Sequence, residues 1–212
     1  MNRRSLGRMA ASLAAMAALA LPLAVRAADE APDALIKRLS TETLDAIKAD
    51  SSLRSGDVNK VIALVDSKIM PSVNFQRMTA AAVGPQWRQA TPEQRSRLQQ
   101  EFKTLLVRTY AGALSQVSDQ SISVKPLRAD PSDKEVVVRT EVIGRGDPIQ
   151  LDYRLEKTPG EGAGWKIYNL NVLGVWLVET YRSQFAQQLS NGGIDGLIQT
   201  LAKRNQSNDK KS

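Results

Sequence analysis

The side chains that most often carry chemistry in proteins are scarce in this chain. Its 212 residues include no His and no Cys. Their absence excludes Ser-His-Asp and Cys-His nucleophilic sites, the usual zinc ligands and disulfides. An enzyme built on this sequence would depend on carboxylates, Lys or Tyr alone.

The clusters that could suggest a metal or a cofactor are better explained as turns. Asp130, Asp133 and Glu135 do not have the spacing of a calcium-binding EF-hand loop, and Asp and Ser around a Pro are typical of a turn. The Gly clusters at 144–146 and 160–164 lie between predicted strands, so they predict hairpin turns and not dinucleotide-binding loops. We therefore expect no metal ion and no cofactor.

One acid remains as a candidate for catalysis. A small enzyme could pair Asp152 with Tyr153 or Tyr168 in one pocket. Adjacent residues of a strand point to opposite faces, so Asp152 and Tyr153 cannot share a pocket, and we expect Asp152 to be solvated. A chaperone or adaptor without a ligand is the other alternative to a binding protein.

The first 27 residues are typical of a cleavable signal peptide. A basic segment with Arg3, Arg4 and Arg8 precedes an apolar, Ala-rich stretch from Met9 to Val25. Val25-Arg26-Ala27 has small or apolar residues where a signal peptidase reads, which predicts cleavage after Ala27. A transmembrane anchor is the less favoured alternative, because the run is short for a bilayer and an acidic segment follows it.

The positive charge of the chain is concentrated at its ends. The formal net charge is +7, and the predicted leader carries four Arg and no acidic residue. Residues 203–212 are also basic, and we expect them to form a disordered tail. The domain between them, residues 28–202, is close to neutral and has few aromatic residues, so we expect no nucleic-acid partner.

Apolar residues at helical spacing predict helices in both halves of the chain. Thr91 and Gln94 predict a capping box at the start of the longest one. In the C-terminal region, Asn191-Gly192-Gly193 separates two predicted helices, 177–189 and 194–201. The helices predicted before the strands are 31–50, 58–69, 75–83 and 91–114.

A run of strands separates these helices. Short polar turns connect the strands, which favours an antiparallel meander, and residues 149–155 alternate apolar with polar side chains as expected for a sheet with one wet face. The predicted strands are 121–127, 135–143, 149–157 and 165–172. The fold class is therefore α+β, with helices packed on one face of a curved four-stranded antiparallel sheet.

A set of apolar residues lies where the helices would meet the sheet. These side chains could form an ordinary core, or they could line an apolar cavity between the two layers, and the sequence leaves both open. They are Phe102, Leu105, Leu106, Tyr110, Leu114, Val136, Val138, Leu151, Tyr153, Leu155, Ile167, Val172, Val175, Val178 and Tyr181.

Two motifs resemble a known family. The first is Gly84-Pro85-Gln86-Trp87-Arg88-Gln89-Ala90-Thr91-Pro92, followed by Phe102-x-x-Leu105-Leu106. The second is Gly174-Val175-Trp176-Leu177-Val178-x-x-Tyr181-Arg182, followed by Gly193-Ile194-Asp195-Gly196-Leu197. Together they resemble the MlaC family, also called the toluene-tolerance or ABC-transporter auxiliary family, from about Leu35 to Leu201. The family is expected to have a small residue at the position of Trp176. The shape of the cavity mouth, or a contact with a partner, can therefore differ in this chain.

This resemblance implies a periplasmic, non-catalytic, monomeric protein with a cone-shaped, NTF2-like α+β fold and an internal apolar cavity. Such a protein carries phospholipid between an outer-membrane lipoprotein complex and an inner-membrane ABC transporter with an MCE-domain subunit, and so maintains the lipid asymmetry of the outer membrane. We expect the apolar residues named above to contact the acyl chains, and Gly174 and Gly192-Gly193 to allow the helices to shift for loading.

Overall fold

A computed structural model describes residues 29–114, 117 and 119–209 of the chain, and the side chains of 114, 208 and 209 are outside this description. The predicted leader, residues 1–27, and the end of the tail, residues 210–212, therefore lie outside the described residues. The helices are α1 (Pro32–Ala49), α2 (Ser51–Arg54), α3 (Val58–Leu64), α4 (Phe75–Val83), α5 (Pro92–Leu114) and α6 (Leu177–Asp209).

The strands form one antiparallel sheet in which neighbours in sequence are neighbours in space. Five strands occur in the described part of the chain, one more than predicted, because Val175 and Trp176 add a short edge strand to the sheet. The strands are β1 (Ser121–Val124), β2 (Glu135–Ile143), β3 (Ile149–Lys157), β4 (Trp165–Val172) and β5 (Val175–Trp176).

Local signals in the sequence place most of these elements. The backbone N–H of Thr91 donates to Gln94 Oε1 (3.0 Å), and the N–H of Gln94 donates to Thr91 Oγ1 (3.2 Å), which confirms the capping box of α5. The bounds of β2, β3 and β4 match the predicted ones. The helix predicted over 58–69 is α-helical only to Leu64 and then becomes a π turn, Val65–Ile69, before Pro71.

Two apolar clusters pack the helices against one another and against the sheet. The larger cluster joins α4, α5 and α6, and Phe102 lies at its centre with ring centroids 5.0 Å from Tyr181 and 5.2 Å from Phe185. The smaller cluster joins the first turns of α1 to β2, β3 and β4 through Leu35, Ile36 and neighbouring residues. We call them the helix cluster and the sheet cluster.

The C-terminal helix differs from its prediction. It bends at Gly193, as the Gly pair indicated, and then continues to Asp209. Asn205 is buried on this last stretch and donates hydrogen bonds to the backbone oxygen and to Oε2 of Glu101 on α5 (3.0 and 2.7 Å). The prediction of a disordered tail is therefore wrong for residues 203–209.

Candidate functional site

The inner face of the sheet is the side that meets the helices. On β2 it presents Val136, Val138, Thr140 and Val142, and the register places these opposite Leu155, Tyr153, Leu151 and Ile149 of β3. On β4 and β5 the same face continues through Ile167, Leu170, Val172 and Val175. All but Thr140 and Tyr153 are wholly apolar, so this face can pack against hydrocarbon.

Burial differs between the two ends of the inner face. At one end Val136, Leu155 and Ile167 are at most 7% exposed and belong to the sheet cluster. At the other end Ile149 is 43% and Val175 is 51% exposed. The inner face is thus covered at the first end and exposed at the second, next to the β2–β3 hairpin, and we call the second the open end.

Helix α5 repeats this gradient from its middle to its C-terminal end. Phe102 and Leu105 are buried, Leu106 is half-buried and Tyr110 is 37% exposed. Partial burial, with a smaller effect from Tyr181, raises the pKa of Tyr110. Tyr110 is therefore an amphipathic side chain at the margin of the helix cluster.

Contacts near the β2–β3 hairpin bring the end of α1 to the open end of the sheet. Lys48 Nζ donates to the backbone oxygen of Gln120 (2.8 Å), and the side chain of Gln120 lies against Gly144 in the hairpin. Ile47 packs with Val107 on α5 in a third apolar cluster. The C-terminal end of α1 therefore lies at the open end, with α5 packed beside it.

The structure divides the predicted site residues between the two clusters. In or against the helix cluster lie Phe102, Leu105, Leu106, Val172, Val178 and Tyr181. In or against the sheet cluster lie Val136, Val138, Tyr153, Leu155 and Ile167. Leu151 is half-buried, and Tyr110 and Val175 are exposed. Leu114 has no described side chain.

Sequence reasoning missed inner-face residues on three strands. Leu170 faces inward opposite Tyr153, because the register of β3 and β4 shifts at a bulge between Arg154 and Leu155. The alternation in β4 carried this signal: Ile167 and Leu170 are three residues apart, so a regular strand cannot present both on one face. Val142 and Ile149 were also left out of the predicted site, although the alternation of β3 had placed Ile149 on the same face as Leu151.

The outer face of the sheet is mostly polar, but not all of it is exposed to solvent. Asp152 is only 6% exposed, and its Oδ2 accepts a hydrogen bond from Gln150 Nε2 (3.0 Å). The expectation that Asp152 is solvated is therefore wrong. It shares this outer face with its sheet neighbours Arg139 and Asn171, and Trp176 is the next in line on β5. Trp176 thus points away from the inner face and its open end.

A polar cluster on the outer face fixes the start of α6. Asn169 Oδ1 accepts from the N–H of Val178 (3.1 Å), and Asn169 Nδ2 donates to Glu179 (2.8 Å). Arg154 pairs with Glu179 and stacks on the Trp176 ring at 3.9 Å. Burial acts to raise the pKa of Glu179, but the hydrogen bonds from Asn169 and Arg154 outweigh it and hold that pKa below its ordinary value. Arg154 is thus an ion-pairing residue.

The candidate catalytic groups do not converge. Tyr153 points inward and Asp152 outward, and burial raises the pKa of the Tyr153 hydroxyl. Tyr168 donates to Glu135 (2.8 Å) and lies under the guanidinium of Arg77 at 3.6 Å, in an ion-pair network between α4 and the sheet. Across the described ranges, no three acidic side chains are grouped so that they could hold a metal ion, and no helix is long and apolar enough to cross a bilayer.

Comparisons with known proteins agree with this geometry. The family model described as "MlaC protein" matches residues 37–203. A toluene tolerance protein, ttg2D of Pseudomonas putida, is 29% identical over 90% of both chains, and the intermembrane phospholipid transport system binding protein MlaC of Haemophilus influenzae is 25% identical over 81% of this chain and 80% of its own. A phospholipid-binding protein from Ralstonia solanacearum, solved with a phospholipid bound, is 48% identical, with a TM-score of 0.79 over 84% of this chain and 98% of its own.

Proposed function

The chain belongs to the MlaC family, and we propose from this premise that it is a phospholipid-binding component of a lipid transport system. Its family model covers most of the described domain, and a relative with 48% identity was solved with a phospholipid bound. The observation on this chain that carries the proposal is the apolar inner face, whose burial decreases toward one open end.

The acyl chains would lie between the inner face of the sheet and helices α5 and α6. Each buried methylene is worth about 0.8 kcal/mol, so two long chains need a continuous apolar lining to leave a membrane at all. Leu151, Tyr153 and Leu170 line the middle of this path and are half-buried. The headgroup would remain at the open end, near Tyr110 and Val175, where both side chains are exposed.

The wider role follows from the same proposal. The protein would be exported by its signal peptide to the periplasm, bind lipid there as a monomer without catalysing a reaction, and shuttle it between an outer-membrane lipoprotein complex and an inner-membrane ABC transporter with an MCE-domain subunit. A soluble carrier is physically required for such a step, because a phospholipid cannot cross water unaided. This transfer would maintain the lipid asymmetry of the outer membrane.

Co-purification of lipid tests the binding step. We expect the protein, extracted with organic solvent and analysed by mass spectrometry, to yield phospholipid in about equimolar amount. Leu151→Asp places a charge on the half-buried inner face and should remove most of this lipid, because an unpaired charge is excluded from an apolar site. Ile143→Asp is the matched control, since Ile143 is exposed on the outer face of the neighbouring strand.

Three results would contradict the proposal or its site. Wild-type protein without phospholipid would contradict lipid binding itself and favour an adaptor without a ligand. Full loading of Leu151→Asp would show that the acyl chains lie elsewhere, provided that circular dichroism shows both variants folded. Equal loss in both variants would show that the effect does not depend on the face of the sheet.

A further inference from the structure

A separate groove lies on the helices and is not part of the inner face. It has a volume of about 430 Å³ and lies between α4, the 3₁₀ turn that follows it (Gly84–Gln89) and α6. Its floor is made of small residues, namely Ala80, Ala81 and Gly84, and its sides carry Trp87, Arg88 and Arg182. The two sequence motifs therefore meet in this groove, although lipid binding gives neither Arg88 nor Arg182 a role.

The backbone around the groove is fixed by packing. Gly84 ends α4 with φ 77° and ψ −149°, a conformation that favours glycine, and a Cβ there would lie 3.5 Å from Arg182 Nε. Arg95 donates to the backbone oxygen of Trp87 (3.2 Å), and its guanidinium lies 5.5 Å from the centre of the Trp87 ring. Tyr181 is buried in the helix cluster, so its neighbour Arg182 is directed outward.

The charge of the groove is uncompensated. Arg88 and Arg182 are exposed, and within the described residues neither guanidinium makes an ion pair or a hydrogen bond. Arg38, Arg77 and Arg154, by contrast, all pair with Glu. No acidic side chain lines the groove. Two free cations beside small apolar lining residues thus favour a ligand that combines an apolar group with anionic groups.

We propose that this groove docks an acidic segment of a partner protein, with an apolar side chain on the Ala80–Gly84 floor and carboxylates paired with Arg88 and Arg182. Trp and Arg are the residues that most often dominate binding energy at protein interfaces, and complementary charge sets the rate of encounter. A flat bilayer surface cannot enter a concave floor, and a free phosphate would leave the apolar floor unused. The inference rests on the proposed function, because the membrane complexes are the expected partners.

Binding to the two expected partners tests the inference. The purified MCE-domain subunit and the purified outer-membrane lipoprotein would be titrated against lipid-loaded protein by surface plasmon resonance. We expect the Arg88→Glu, Arg182→Glu double variant to lose roughly tenfold or more in affinity for at least one partner, with an equal lipid content. Ala80→Leu fills the floor without changing charge and should weaken the same complex. Arg128→Glu, in the exposed connection between β1 and β2, is compared with the single variant Arg88→Glu, because both change the net charge equally.

The outcomes separate this inference from the proposed function. Unchanged affinity of the double variant for both partners, or no binding of the wild type to either, would overturn docking in the groove while lipid content still supports the carrier. An equal loss in Arg88→Glu and Arg128→Glu would show that only net charge matters. Loss of lipid from the double variant would assign the arginines to the headgroup. If the double variant lost binding to phosphatidylglycerol vesicles but kept its affinity for both partners, the groove would bind a membrane surface and not an acidic segment.

Discussion

Leu173 occupies a backbone conformation that suits another residue better. It has φ 52°, is 64% exposed, and forms the two-residue turn between β4 and β5 with Gly174, whose φ is 87°. Two-residue hairpin turns with positive φ at both positions favour Asn-Gly. We predict that Leu173→Asn raises the free energy of unfolding by about 1 kcal/mol, because it removes the left-handed strain of a Leu whose side chain is mostly exposed.

Urea unfolding measures this change, and Leu173→Ala is the matched control. Alanine trims the same exposed side chain but keeps the steric penalty of a Cβ at positive φ, so its stability should stay near that of the wild type. Two hydrogen bonds hold the turn: the N–H of Leu173 donates to Gln150 O (3.0 Å), and the N–H of Gly174 donates to Asn171 Oδ1 (2.8 Å). Both use backbone donors of the turn and are kept in either variant. An equal rise in the free energy of unfolding in both variants would mean that loss of the Leu side chain, and not relief of backbone strain, stabilises the protein.

Single residues also show where sequence alternation is a sufficient guide and where it is not. Val136 and Val138 were assigned to the inner face correctly, because β2 is regular and alternation has a period of two. Leu170 was missed because a bulge changes the phase of β4. Asp152 was placed on the correct face. Its burial, however, depends on residues of the strands beside it, and the alternation of β3 alone does not show them.

Helix α6 depends on one glycine to return to the core. Gly193 has φ 60° and ψ −158°, a region that other residues hardly enter. A straight helix of this length would extend about 50 Å, and Leu197 and Leu201, which are buried in the helix cluster, would then leave it. We predict that Gly193→Ala lowers the free energy of unfolding by about 2 kcal/mol or more.

The neighbouring Gly192→Ala should have the opposite sign. Gly192 is helical and exposed, and a Cβ at either glycine would meet no atom within 4 Å, so contacts with neighbouring residues cannot account for a difference. Alanine in a helix is more stable than glycine by up to about 1 kcal/mol, so Gly192→Ala should be neutral or stabilising in urea unfolding. A similar loss of stability in Gly192→Ala and Gly193→Ala would mean that the bend does not require a glycine at position 193.

Whole elements were predicted well where their signals are local. The start of α5 has a capping box, and β2 to β4 are bounded by turn residues, so their bounds needed no tertiary information. Strand β5 has only two residues, too few for any period, and it exists because β4 offers an edge to pair with. The last turns of α6 are polar, and the contact of Asn205 with Glu101 joins residues far apart in sequence.

At the scale of the whole molecule, the gradient of burial makes a prediction about lipid removal. Where side chains are already buried, as at Val136 and Leu155, protein contacts alone complete the packing. Where they are half-buried or exposed, as at Leu151 and Ile149, bound acyl chains would supply the missing contacts. A ligand stabilises most the regions that open without it, so local stability should depend on lipid only at the open end.

Hydrogen exchange with mass spectrometry, on loaded and delipidated protein, tests this directly. We predict that delipidation speeds exchange of amides over 140–151 and 106–110, by roughly tenfold or more if lipid adds at least about 1.4 kcal/mol locally. Amides near Val136 and Leu155 should change little. The first turns of α1, around Leu35 and Ile36 in the sheet cluster at the covered end, are the internal control. A uniform change over all these segments would contradict a site with one open end, because it would mean that lipid stabilises the fold as a whole.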